Sequence, residues 1–279
     1  MKKALSFVVI CLFAGLLACS TDDGDETADT ASTADASGTA DVVADSVGGD
    51  VPAPECPNLP DMTDRVFRIT LLDAKDPTDK INEVWAADIA DYELVILFHV
   101  VEHDVAAGTA KLRVTSATAE KEVAEDGTIT PLKYNYMLDP AVFNAYFDGC
   151  RIKWDEPIEL DIVTATISKP FHVFGITGFC DINEDGTEIL HSWLSGAILE
   201  TEAQDLCMTI PGMGVANFHW FMNLAHICPV FDSDGDGTLE SYKFTGTLAG
   251  VEETELFDHE IIPFTTDIEC DPHLDQCQP

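Results

Sequence analysis

Beyond residue 55 the sequence predicts a mainly β fold, an antiparallel β-sandwich carrying a few short helices. Three observations lead there. Long stretches are rich in β-branched and aromatic residues. Turn-forming clusters such as AEDGT and WDEP bound them. Helical periodicity is confined to a few short segments.

The strand segments are RVFRITLL (65–72), ELVILFHVVEH (93–103), AKLRVTSAT (110–118), RIKW (151–154), IELDIVTATIS (158–168) and FHVFGITGF (171–179). The helical segments are DKINEVWAADIADY (79–92), DPAVFNAYF (139–147) and VANFHWFMNLAHI (215–227). A weak internal repeat aligns CDINEDGTEILHSWLSGAIL (180–199) with FDSDGDGTLESYKFTGTLAG (231–250). Each copy reads as an acidic loop followed by a strand through Gly196 or Gly246, which suggests a duplicated hairpin within one domain.

The first residues are organised differently. In MKKALSFVVICLFAGLLACS, Lys2 and Lys3 precede an uncharged apolar run from Ala4 to Ala18, too short for a membrane span and suited to a secretory signal. Leu16-Leu17-Ala18-Cys19 resembles the lipobox of bacterial lipoproteins. That resemblance implies removal of residues 1–18 and diacylation of the Cys19 thiol, an anchor holding the protein to the membrane at ~0.8 kcal/mol per buried CH₂. Ser20 after the cysteine implies the outer membrane. Residues 19–55 are built mostly from Asp, Ala, Thr, Ser and Gly, with acidic but no basic or aromatic residues. Such a segment cannot bury enough apolar surface to fold and predicts a disordered, self-repelling tether. It is similar in style to the tethers of surface lipoproteins from myxobacteria and related delta-type proteobacteria. The chain thus divides into a signal (1–18), a lipidated tether (19–55) and a β-rich domain (56–279).

The formal charge of −37 disfavours nucleic acid and anionic lipid head groups as partners and favours cations. A protein or glycan ligand stays open. Of the nine cysteines, Cys56, Cys150, Cys180, Cys207, Cys228, Cys270 and Cys277 follow the signal and anchor. In an oxidising envelope they pair, leaving one thiol over. Spacing alone leaves the connectivity open, with Cys270 and Cys277 near enough to close a local loop.

Asp232, Asp234, Asp236 and Gly237 open like an EF-hand loop, but its twelfth position, where a bidentate Glu is needed, is Lys243. The loop also runs into a strand, not a helix. It is closer to the strand-flanked D-x-[DN]-x-D-G-x-x-[DE] calcium hairpins of integrin-type β-propellers, in which the ninth position closes the site; here that is Glu240. Calcium takes six to eight hard oxygens. Asp232, Asp234, Asp236, the Thr238 carbonyl and Glu240 supply most of them, and Lys243 becomes an early strand residue. The first copy offers Asp181, Asn183, Asp185 and Thr187, with Ile189 at position nine.

His99, Glu102 and His103 form the H-x-x-E-H arrangement of inverzincin zinc peptidases. On a strand, however, Glu102 points away from both histidines, which share a face. His219 and His226 lie among apolar residues of a helical segment, where packing explains them. Trp154, Trp193, Tyr242 and Phe244 can line a sugar-binding face or a core. No nucleophile-elbow or phosphate-binding glycine motif is present. The sequence therefore favours a binding or structural envelope lipoprotein with a structural calcium site. A zinc hydrolase and a calcium-dependent carbohydrate-binding module are the alternatives.

Overall fold

Alternating strands dominate the computed structural model, which describes residues 52–210, 213–253 and 257–273. In chain order they are β1 (Arg65–Asp76), β2 (Val95–Asp104), β3 (Thr109–Val123), β4 (Ile129–Tyr136), β5 (Ala141–Asp148), β6 (Arg151–Ile162), β7 (Phe171–Ile182) and β8 (Glu188–Leu199). There follow β9 (Cys207–Ile210), β10 (Gly214–Asn217), β11 (Ser241–Glu252) and β12 (Phe257–Ile261). Three short helices complete the set: α1 (Asn82–Ala90), α2 (Glu200–Asp205) and α3 (Phe218–Leu224).

The expected sandwich is not what forms. The main sheet runs β12-β4-β3-β2-β1-β11-β8-β7-β6-β5, and β5 pairs back onto β3. Eight strands, from β3 through β2, β1, β11, β8, β7 and β6 to β5, thus close into an antiparallel barrel. Strand alternation is the same for a sandwich and a barrel, so sequence pattern alone does not separate them. Curvature does. Register shifts interrupt β1 at Ile69/Leu71 and Ala74/Asp76, β11 at Gly246/Gly250 and β6 at Trp154/Ile158, and such irregularities bend and twist a sheet. At Gly178 on β7 a Cβ would stand 2.1 Å from the Trp193 carbonyl oxygen, so only glycine allows this approach of β7 to β8.

Inward residues such as Phe67, Phe98, Leu112, Ile152, Val173 and Phe244 fill the barrel as one core. A ring of eight strands is just wide enough for side chains to do so. An apolar cavity of about 40 Å³ beside Phe98, Trp154, Cys180 and Phe244 is left. A second cluster on the outer face joins Val66, Val95, Leu97 and Ala117 to Tyr134 and Tyr136 of β4. This explains the unbroken apolar run of β2, which is buried on both faces.

The helical reading of 79–92 resolves into a single 3-10 turn (Asp79–Ile81), capped by the Thr78 hydroxyl, and α1. Trp85 of α1 packs edge-on against Phe171 at 6.3 Å. The segment 215–227 yields α3, whose first turn is capped by Asn217 accepting from the Trp220 N–H. Residues 139–147 are not helical. They form β5, whose Phe143 and Ala145 face inward in strand alternation, because the ring closes only if this segment is extended.

Cys56 bonds Cys150 and Cys207 bonds Cys270, so the local Cys270–Cys277 loop does not form. Cys228 is also disulfide-bonded, while Cys180 is a free thiol buried in the barrel. Burial, reinforced by Asp181, pushes the Cys180 pKa far up, so it remains a protonated, unreactive thiol. Without reductant, N-ethylmaleimide is expected to leave Cys180 unmodified in native buffer and to alkylate it in denaturant, as read by peptide mass spectrometry.

Candidate metal centre

The second acidic loop is pinned at its base by a single bridge, Phe231 opposite Ser241, where β11 begins. The Ser241 N–H donates to the Phe231 carbonyl at 3.0 Å, and the Val230 N–H to the Ser241 carbonyl at 2.9 Å. Between these ends the chain folds on its own carboxylates. Asp232 accepts from the Gly235 N–H at Oδ1 (2.7 Å) and from the Gly237 N–H at Oδ2 (2.8 Å). Asp234 accepts from the Asp236 N–H (3.0 Å), and Asp236 from the Thr238 N–H (2.7 Å). Gly235 and Gly237 have φ of +79° and +91°, the region that favours glycine, which lets two tight turns follow one another.

Glu240 closes the loop. Its Oε1 accepts from the Ser233 N–H at 2.6 Å and from the Ser233 hydroxyl. Its Oε2 is buried and has no hydrogen-bond partner among the described residues. One oxygen from each of Asp232, Asp234, Asp236 and Glu240 falls within 4.8 Å of the others. Oxygens on opposite sides of one ion, each about 2.3–2.6 Å from it, are separated by about that much. The donor set is all oxygen and carries four negative charges, so it can chelate a hard cation. The backbone N–H groups of Gly237 and Gly235 hold the Asp232 pKa below its usual value. Among the described residues this is the one such grouping of His, Cys, Asp and Glu side chains.

The first copy takes another course. Asp181 lies in β7 directly opposite Arg151 of β6. It accepts from the Arg151 Nε at 2.7 Å and Nη2 at 2.9 Å, and both side chains are only 8% exposed. The guanidinium also sits 3.9 Å above the Phe179 ring. Asn183 closes the β7–β8 turn, with Oδ1 accepting from the Thr187 N–H and Nδ2 donating to the Thr187 hydroxyl. Asp185 is exposed, and Arg65 donates to its carbonyl and to that of Gly186. Asp181 is thus paired with Arg151, and Asn183 and Thr187 bond each other, while Asp185 meets Arg65 through its backbone carbonyl alone.

The histidine motif is split by a register shift between Val100 and Glu102. Opposite each other across β2 and β3 stand His99 and Arg113, Glu102 and Lys111, and His103 and the inward Ala110. The extra residue thus turns His103 to the inner face and leaves His99 and Glu102 on the outer one. The histidines do not share a face, as they would on a regular strand. His219 is buried and bonds the Tyr242 hydroxyl at 2.8 Å and the Asn223 amide at 3.1 Å, whereas His226 is exposed. Trp154, Tyr242 and Phe244 are core residues. Lys243 is the third residue of β11, as the strand reading of the loop requires. Ser233 escaped the sequence reading, because its role depends on where Glu240 returns.

Fold and site together define an eight-stranded antiparallel β-barrel bearing an acidic loop able to chelate a metal ion. The chain matches no protein-family model, no curated protein and no solved structure.

The two loops are separable by mutation. Asp181→Asn leaves the buried Arg151 without its counter-charge and is expected to cost about 3–5 kcal/mol in denaturant titration. Asp234→Asn, on the exposed loop, is expected to leave stability in chelator nearly unchanged.

Proposed function

We propose that this chain is an exported lipoprotein of the bacterial cell envelope whose barrel domain is stabilised by calcium, with a binding or structural role and no catalysis of its own. The observation that carries the calcium reading is the convergence of Asp232, Asp234, Asp236 and Glu240, with Glu240 Oε2 buried and unpartnered. An all-oxygen, carboxylate-rich set suits calcium better than magnesium, which demands near-octahedral geometry and sheds its waters reluctantly. The Thr238 carbonyl and water would complete the coordination. Bound calcium supplies the charge that four adjacent carboxylates lack, and so fixes the segment leading into β11.

Export and anchoring rest on the lipobox-like Leu16-Leu17-Ala18-Cys19, which lies outside the described residues. The Cys56–Cys150 and Cys207–Cys270 disulfides support an oxidising compartment. Acyl chains on Cys19 would hold the protein at the outer membrane, with residues 20–55 spacing the domain from it. The charge of −37 opposes a nucleic-acid partner, and a protein or glycan ligand is compatible with it.

Thermal unfolding in calcium and in chelator tests the site. At calcium 100-fold above Kd the expected stabilisation is about 2.7 kcal/mol, or roughly 5–11 °C in Tm at about 2–4 °C per kcal/mol. Asp232→Ala should abolish most of that shift, and a calcium response undiminished in this variant would refute the assignment. For the anchor, Cys19→Ser is expected to move the protein from the membrane fraction to the soluble fraction of the envelope.

A further inference from the structure

The segment leading into β1 lies over one end of the barrel, where Leu59 packs against the core and the Asp64 N–H donates to the Val100 carbonyl at 2.8 Å. Met62 is fully buried, whereas the described residues before it and the two after it are half-buried or exposed. Its side chain occupies the space that a Cβ on Gly186 would need, and it belongs to the barrel core. The Met62 N–H donates to His103 Nδ1 at 3.1 Å. In return the His103 N–H donates to the Thr63 hydroxyl at 3.2 Å. The His103 side chain is 2% exposed, and its ring packs on Phe147 with centroids 4.2 Å apart.

Because a backbone N–H can only donate, Nδ1 must be unprotonated and the ring proton must sit on Nε2. A proton added at Nδ1 would confront the Met62 N–H and charge a ring packed against phenylalanine. The nearest anion is Asp61, whose Oδ1 is 3.8 Å from Nδ1. Thr63 bonds to that carboxylate through its N–H and hydroxyl and keeps it ionised. A protonated ring would therefore turn its Nδ1–H from Met62 towards Asp61.

We propose that residues 57–64 form an acid-released strap: protonation of His103 breaks its bond from the Met62 N–H, and Met62 leaves the end of the barrel. The Cys56–Cys150 disulfide and β1 hold the two ends of the segment, so release is local and reversible. Other charged groups around the ring are Glu102 and Asp104 on its own strand, Lys111 on β3, and Arg65 beyond Asp61; β5 presents Phe147 and the neutral Asn144. Burial lowers the His103 pKa from 6.5, while Asp61 and Asp104 oppose that. The folded state thus binds fewer protons than the unfolded one. The strap's contribution is complete above pH 6.5 and is lost as pH falls through the lowered pKa.

Oxidation of methionine by dilute peroxide in the full chain reads the release directly, since buried Met62 is protected and a freed Met62 is not. Met222, also fully buried but remote in sequence, reports global unfolding. Between pH 7.5 and pH 5 the Met62 rate is expected to rise severalfold, with Met222 unchanged. His103→Asn keeps an acceptor near the Nδ1 position but cannot titrate there, and should abolish the rise. Asp61→Asn removes the anion that opposes burial in the folded state, so it lowers the folded pKa further and should enlarge the rise. Equal protection of Met62 at both pH values, a parallel rise at Met222, or a rise that survives in His103→Asn would each overturn the proposal.

Discussion

The ladder between β3 and β5 closes the structure, and most other features depend on it. Six residue pairs, from Thr109 opposite Tyr146 to Val114 opposite Ala141, join what would otherwise be two free edges of the sheet. Closure removes unpaired backbone groups that would invite association with other chains. It also fixes the core, because every strand of the ring must send alternate residues inward at matching heights. β3 is longer than this ladder. From Ala117 to Val123 it pairs with β4 instead, which leans over the outer face of β2 and buries a second apolar layer there.

That one edge of β3 is divided between two partners, β5 and β4, explains why the sheet's architecture was the least legible part of the sequence. The strands themselves were readable: RVFRITLL, ELVILFHVVEH and AKLRVTSAT became the hearts of β1, β2 and β3, and DKINEVWAADIADY contains α1, whose Trp85 packs against Phe171. Pairing was not readable, because period-two alternation states which residues face a core and not which strand lies alongside. DPAVFNAYF was misread for the same reason. Its apolar spacing also fits a helix, and only the need to bridge β3 and β6 selects the extended form. The bulge in β2 was likewise invisible. Nothing in VVEHD announces an extra residue, yet it turns His103 inward and dissolves an apparent zinc motif.

The acidic loop was more legible because its geometry is local. Asp-x-Asp-x-Asp-Gly sets its own turns through carboxylates accepting from N–H groups two to five residues onward, and these contacts need no distant partner. Glu240 was found at position nine because the loop enters a strand there. What the sequence did not display was the hydrogen bonding that aims it, since Ser233 occupies one Glu240 oxygen and leaves the other buried and unpartnered.

The two related loops show how strand pairing decides what a carboxylate does. Strands β8 and β11, which follow the loops, lie side by side and antiparallel, with Gly196 opposite Phe244 and Leu194 opposite Gly246. The strands before the loops differ. Asp181 ends a full strand, and the ladder sets Arg151 directly opposite it, so its charge is neutralised by the protein. Its turn then packs against Met62 and receives Arg65, becoming the seat of the strap that covers the barrel end. Asp232 has only the single bridge from Phe231 to Ser241 before it. With no neighbouring strand to bring an arginine opposite, its charge and those of Asp234, Asp236 and Glu240 stay together at the surface, where a cation from solution is the natural counter-charge.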